Sequence, residues 1–198
     1  MLFNAMDKTK KGVVACWFQV TDSIQHMFFR YLDKKHPALK FGQNIKSAKT
    51  IEELYINMDK LVGKVRDKLS KNSCLVIMSD HGFKQFRRGV NLNSWFYRNG
   101  YLSLKNGKTE SGEWFKDVDW TSTKVYGLGL GGIYINQKDR ESQGIVSPGE
   151  ETRALKTELK QRLGGLMDDG NNNAVAINYL YDRDEIPPGP YKENCPDF

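Results

Sequence analysis

The stretch Cys74-Leu-Val-Ile-Met-Ser-Asp-His-Gly-Phe83 decides the predicted fold. Its apolar first half, bounded by polar residues, is typical of a buried parallel strand. Asp80 and His81 then stand at the carboxyl end of that strand, where open α/β sheets place their ligands. Because neighbouring residues of a strand point to opposite faces, we expect a turn at Asp80, permitted by Gly82, to bring both side chains to one ion.

A second pair of an aspartate and a histidine follows an earlier strand-like run at residues 13–20. Asp22 and His26 are four positions apart in a segment with helical character. This spacing is about one helical turn, so the two side chains would share a face and could chelate an ion. The alternative is structural: Asp22 would cap the helix, and Asp80 with His81 would form a cap or a tight turn.

A long amphipathic helix is predicted between the two strand-like runs, at residues 47–70. Strand, helix and parallel strand in this order form a right-handed crossover, which brings both strand ends to the same edge of a sheet. We therefore predict an α/β fold, with a mostly parallel sheet flanked by helices. On this topology Asp22 and Asp80 face one cavity.

The remaining segments are predicted to be shorter elements. Helices are expected at 91–99 and 148–165 and strands at 133–135 and 174–181, while 100–130 is predicted to be a loop or a cap over the substrate. The Gly-x-Gly-x-x-Gly spacing at 127–132 precedes a strand-like run instead of opening a helix, so it does not predict a dinucleotide site. His36, beside Pro37, is predicted to be an exposed loop residue without a role.

Composition narrows the classes of function. The 198 residues carry a net charge of +6, with basic and acidic residues interleaved as on a solvated surface, which does not favour nucleic-acid binding. No apolar run approaches the length of a membrane span. Three cysteines without a Cys-x-x-Cys pair argue against a disulfide framework or a structural zinc site.

The two Asp/His motifs together make the chain recognisable. Asp22-x-x-x-His26 followed by Ser79-Asp80-His81-Gly82-Phe83 resembles the alkaline phosphatase superfamily, in its type I phosphodiesterase and nucleotide pyrophosphatase branch. The resemblance runs from about Gly12 to the C terminus and includes Arg87-Arg88-Gly89-Val90-Asn91-Leu92-Asn93, Gly131-Gly132-Ile133-Tyr134-Ile135-Asn136 and Pro148-Gly149-Glu150.

This resemblance implies an alkaline-phosphatase-like core that hydrolyses small phosphate esters with two divalent metal ions, usually zinc. Asp22 and His26 match the ligands of one ion, and Asp80 and His81 match the ligands of the other. Mixed carboxylate and imidazole ligands suit Zn²⁺. Two such ions stabilise the charge that develops on the attacking and leaving oxygens during phosphoryl transfer.

The chain also departs from the family pattern. That pattern requires an aspartate ligand and a Thr or Ser nucleophile before the Asp22 motif, and a third histidine ligand after the Asp80 motif; no histidine follows His81. We therefore expect residues 1–198 to be an incomplete catalytic domain, an internal fragment that is inactive alone. The competing hypothesis is a non-catalytic α/β binding module, in which the Asp/His pairs are caps and turns and the basic charge meets an acidic partner.

Overall fold

The computed structural model describes residues 1–39 and 45–198. The chain divides into two compact units, Met1–Gly89 and Val90–Phe198. Both Asp/His pairs belong to the first unit. Within the described residues, no helix has both the length and the apolar character that crossing a membrane requires.

The first unit is built from helices. They are α1 (Leu2–Lys8), α2 (Gln19–Phe28), which continues into a 3₁₀ turn at Phe29–Leu32, α3 (Ile45–Ala48) and α4 (Thr50–Lys68). The long helix predicted at 47–70 is confirmed as α4. Ile51 is buried and Leu54 is half-buried, while Lys60 and Lys64 on the other face are exposed. Helix α2 packs against α4, which fixes the helix that carries Asp22 and His26.

The two strands predicted in this unit are not formed, so this part of the prediction is wrong. Residues 13–18 and 74–79 have no regular secondary structure, and Gln19 already begins α2. The side chains of Val76, Ile77 and Met78 are 68%, 70% and 85% exposed. The physical reason is that a strand exists only when a neighbour takes up its backbone N–H and C=O groups, and no described segment pairs with these residues.

The second unit combines helices with two small sheets. Its helices are α5 (Leu92–Arg98) and α6 (Glu150–Leu163); β1 (Val125–Leu128) pairs with β2 (Gly132–Ile135), and β3 (Leu166–Asp168) pairs with β4 (Ala174–Ile177). Both pairs are antiparallel. This mixture agrees with the predicted α/β class, but it does not show the predicted mostly parallel sheet.

The shorter predicted elements of this unit are largely confirmed. Helices occur where 91–99 and 148–165 were predicted, and the strand at 133–135 is β2, although the strand predicted at 174–181 ends at Ile177. The glycine-rich run is the turn between β1 and β2, where Gly129 and Gly131 have φ of 74° and 114°. A strand-turn-strand hairpin presents no helix N terminus to a dinucleotide. Residues 100–130 contain two 3₁₀ turns and β1, and their role as a cap stays a prediction.

A buried ion pair attaches the last residues to β2. The carboxylate of Asp197 is fully buried, accepts a hydrogen bond from the Ile135 N–H (2.7 Å), and accepts two from the Arg140 guanidinium (3.0 and 2.7 Å). The backbone of Asp197 and Phe198 also bonds Ile133. A bidentate contact between an arginine and a carboxylate that is shielded from solvent is among the stronger kinds of charge-assisted hydrogen bond.

A second ion-pair group lies on α6. Lys156, which is buried, donates to Asp182 (2.5 Å) and Asp184 (2.6 Å). The hydrogen bond from Lys156 holds the pKa of Asp184 below its ordinary value. Burial pushes the pKa of Asp182 upward, but the hydrogen bonds from Lys156 and from the Asp184 N–H outweigh it, so this pKa is lowered as well. Both carboxylates are therefore held in their charged form.

Candidate metal centre

Helix α2 carries the first pair of predicted ligands. Asp22 lies in the first turn of the helix and His26 in its last turn, positions where the helix dipole favours a negative and a positive charge respectively. Asp22 Oδ1 is 3.2 Å from His26 Nε2, so the predicted one-turn spacing is confirmed. The residue at the N-cap is Phe18, and no side chain caps the helix. Asp22 is therefore not a capping residue.

The second pair lies in an irregular segment and is ordered by short local hydrogen bonds. The His81 N–H donates to Asp80 Oδ1 (3.1 Å), and the Ser79 hydroxyl donates to the His81 carbonyl. His81 Nδ1 is 3.0 Å from the carbonyl oxygen of Gly82. Since a carbonyl oxygen only accepts, Nδ1 is the donor in this contact, and Nε2 is the ring nitrogen that faces the carboxylates.

The two pairs meet at His81. Its Nε2 atom is 3.5 Å from Asp80 Oδ2 and 3.8 Å from Asp22 Oδ1. All four predicted side chains therefore belong to one group, linked through separations of 3.2–3.8 Å. They are between 42% and 86% exposed, so the group is open to solvent and to small ions. We expected these four side chains to come together at one edge of a parallel sheet. In the structure they come together although that sheet is not formed.

The chemistry of these donors fits a zinc ion. Tetrahedral Zn²⁺ with bonds of 2.0–2.1 Å holds its ligand atoms about 3.3 Å apart, close to the separations between the His and Asp atoms. A backbone carbonyl on Nδ1, as Gly82 provides for His81, is the usual support of a metal-binding imidazole. Across residues 1–39 and 45–198, however, no three His, Cys, Asp or Glu side chains are arranged to hold one ion. The four side chains are linked one to the next, from His26 through Asp22 and His81 to Asp80, and do not surround a single point.

Phe83 supports both histidines, a role that the sequence analysis missed. Its ring lies edge-on to His26, with ring centroids 4.8 Å apart, and also edge-on to His81, at 5.4 Å. It stacks on Phe29 at 5.8 Å. The available signal was an aromatic residue directly after Asp80-His81-Gly82, but no local pattern shows that this ring packs against helix α2.

His36 differs from its predicted environment. It is buried, with 6% of its surface exposed, and both ring nitrogens have partners. The prediction of an exposed loop residue is therefore wrong, because a contact with Phe86, 50 positions away, decides its burial. The chain has three histidines, and His36 is the one outside the two pairs, so no histidine with a free nitrogen is left to join His26 and His81.

The comparisons with known proteins support the resemblance seen in the sequence. The model of the family described as type I phosphodiesterase / nucleotide pyrophosphatase matches residues 1–198. No curated protein and no solved structure matches the chain. The family match spans both Asp/His pairs and the whole of both compact units.

Proposed function

Because the chain belongs to the type I phosphodiesterase/nucleotide pyrophosphatase family, a family of phosphoester hydrolases, we propose that its Met1–Gly89 unit carries a two-metal phosphoryl-transfer site. Asp22 and His26 would hold one divalent ion, and Asp80 and His81 the other, with zinc as the ion that this donor set prefers. The observation that carries the proposal is the position of His81 Nε2, within 4 Å of a carboxylate from each pair.

The residues around the four ligands have separate parts in this proposal. The Gly82 carbonyl keeps the proton on His81 Nδ1, which leaves Nε2 available to a metal. Phe83 limits the rotation of both imidazoles. The bound ions would neutralise charge on the phosphoryl oxygens and lower the pKa of the attacking group.

The charge of the first unit suits an anionic substrate. The unit has 17 Lys and Arg against 8 Asp and Glu, so a small phosphate ester would be attracted toward the acidic group once metal ions offset its charge. Arg87, beside the motif, is already paired with Asp33, which makes it a supporting residue in our proposal and not a phosphate ligand.

We further propose that this chain by itself binds metal without turning over phosphodiesters. The family resemblance calls for a nucleophile, one more aspartate and a third histidine, and His36 cannot supply that histidine because both its nitrogens are engaged.

Zinc titration by calorimetry tests the metal assignment. We expect the purified chain to bind zinc, and we expect His26→Ala and His81→Ala each to remove binding at their own ion. Asp67→Ala, at an exposed acidic residue of α4, is the control and should bind as the wild type does. Equal zinc binding by all four proteins would contradict the assignment, and absence of binding would favour the non-catalytic module.

An activity assay tests the second part. With bis(p-nitrophenyl) phosphate and zinc, we expect no turnover above that of zinc in buffer. Turnover that disappears in Asp80→Ala would contradict the proposal that the chain is inactive alone, while it would support the assignment of Asp80 to the site.

A further inference from the structure

Contacts between two segments of the first unit continue well beyond the metal centre. One segment runs from α2 through the turn at residues 33–39, and the other covers residues 80–87. Along both segments the contacts follow the same order: Asp22 with His81, then His26 and Phe29 with Phe83, then the 33–36 turn with Phe86 and Arg87. The contacts of Phe86 and Arg87 with the 33–36 turn are the ones farthest from the metal centre along both segments.

His36 makes one of these far contacts. The Ala38 N–H donates to His36 Nδ1 (3.2 Å), so Nδ1 carries no proton. His36 Nε2 is 2.9 Å from the Phe86 carbonyl oxygen, which accepts only, so Nε2 carries the proton. Both bonds exist together in a single neutral tautomer of a buried ring, and the second bond joins the two segments.

Arg87 makes the other far contact. Its Nη1 atom is 3.1 Å from Asp33 Oδ2, and its Nη2 donates to the Lys35 carbonyl (3.2 Å). Asp33 Oδ2 is buried and, within the described structure, accepts no well-aligned hydrogen bond. The guanidinium is therefore the charge that offsets this oxygen, and losing it would leave a buried carboxylate oxygen without compensation.

The segment that carries His81 depends on such contacts for its position. Residues 81–91 form neither helix nor strand, so no backbone ladder holds them beside α2. A segment attached only at Phe83 can pivot about that ring, whereas a second attachment at Phe86 and Arg87 removes the pivot. Such a pivot would move His81 by about a few ångströms, whereas metal ligands must be placed within about 0.5 Å.

We propose that the clamp formed by Asp33, His36, Phe86 and Arg87 positions His81 against Asp22 and thereby sets the metal affinity of the centre. The expected change in zinc affinity rests on the proposed function. The expected change in the position of His81 does not, because it can be measured without metal. The clamp residues touch no metal ligand; they act through the segment, as positioning residues. A purely structural clamp would change stability alone.

The first measurement needs no metal. We expect NMR cross-peaks between the His81 ring protons and the Asp22 Cβ protons in the metal-free chain, since His81 Nε2 is 3.8 Å from Asp22 Oδ1, and we expect these to vanish in His36→Ala. The second measurement is zinc affinity by calorimetry, for which we expect a loss of about tenfold, the lower end of the range for residues that orient metal ligands.

Two replacements of His36 separate its two bonds. His36→Gln can still donate an amide N–H to the Phe86 carbonyl, so we expect it to restore the cross-peaks and most of the affinity. His36→Asn can accept from the Ala38 N–H but is too short to reach Phe86, so we expect it to behave like His36→Ala. Ile51→Ala, which removes a buried side chain of α4, is the control for a general loss of stability and should keep both readouts.

Each outcome decides the proposal. Retained cross-peaks in His36→Ala, or equal loss in Ile51→Ala at the same thermal midpoint, would overturn it. If the wild type binds no zinc, the proposed function fails, and the cross-peaks alone judge the clamp. If His36→Ala does not fold, the contrast between His36→Gln and His36→Asn, together with Arg87→Gln against the wild type, gives the same test.

Discussion

Replacing Phe83 with leucine isolates the role of one ring in holding two imidazoles. Leucine keeps an apolar side chain of similar bulk but removes the edge-on contacts with His26 and His81, at 4.8 and 5.4 Å. Each aromatic contact contributes about 0.5–1.5 kcal/mol beyond its buried area, so the two together amount to about 2 kcal/mol. If that energy restrains the imidazoles for metal binding, Phe83→Leu should weaken zinc affinity by about 30-fold.

The assay is zinc calorimetry at pH 7 with a matched control on the same aromatic cluster. Phe29 stacks on Phe83, so Phe29→Leu makes the same substitution one contact away from the histidines. We expect Phe29→Leu to change zinc affinity less than about threefold. Equal effects of the two substitutions, or unchanged affinity in Phe83→Leu, would refute the reasoning that the ring restrains the ligands.

Three further results concern the second unit. Asp197→Asn should lower the free energy of unfolding by about 3 kcal/mol in urea titrations, because it breaks a buried ion pair; the exposed Asp169→Asn should stay within about 0.5 kcal/mol, and equal effects would contradict this. Because the pKa of Asp184 is lowered from 3.8 by Lys156, its stabilising contribution should be complete above about pH 4 and disappear as the pH falls through the lowered value. Asp184→Asn should therefore flatten the fall of the urea midpoint as the pH is lowered below about 4, and an unchanged slope would count against the pairing. Lys156→Met should flatten this fall as well, because Lys156 lowers the pKa of both Asp182 and Asp184.

The features that the sequence predicted correctly are those that depend on residues close together in the chain. The contact between Asp22 and His26 follows from helical spacing, and the amphipathic pattern located α4 to within three residues at each end. The turn nature of the glycine-rich run followed from the strand-like residues after it. In each case the residues that determine the outcome lie within a few positions of each other.

The features that the sequence did not predict depend on contacts between residues far apart in the chain. The apolar run at 74–78 has the composition of a strand, but strand formation depends on a neighbour that composition does not supply. The burial of His36 depends on the Phe86 carbonyl, and the importance of Phe83 depends on how its segment passes α2. The convergence of His81 on Asp22 was predicted, although for a topological reason that the structure does not share.

Anomalous diffraction at the zinc edge, from crystals of the zinc-loaded chain, tests the metal assignment most directly. We predict two zinc peaks about 4 Å apart, one within about 2.2 Å of Asp22 and His26 and the other within about 2.2 Å of Asp80 and His81. Zinc bound elsewhere on the chain, with these four side chains still paired only to each other, would contradict the account.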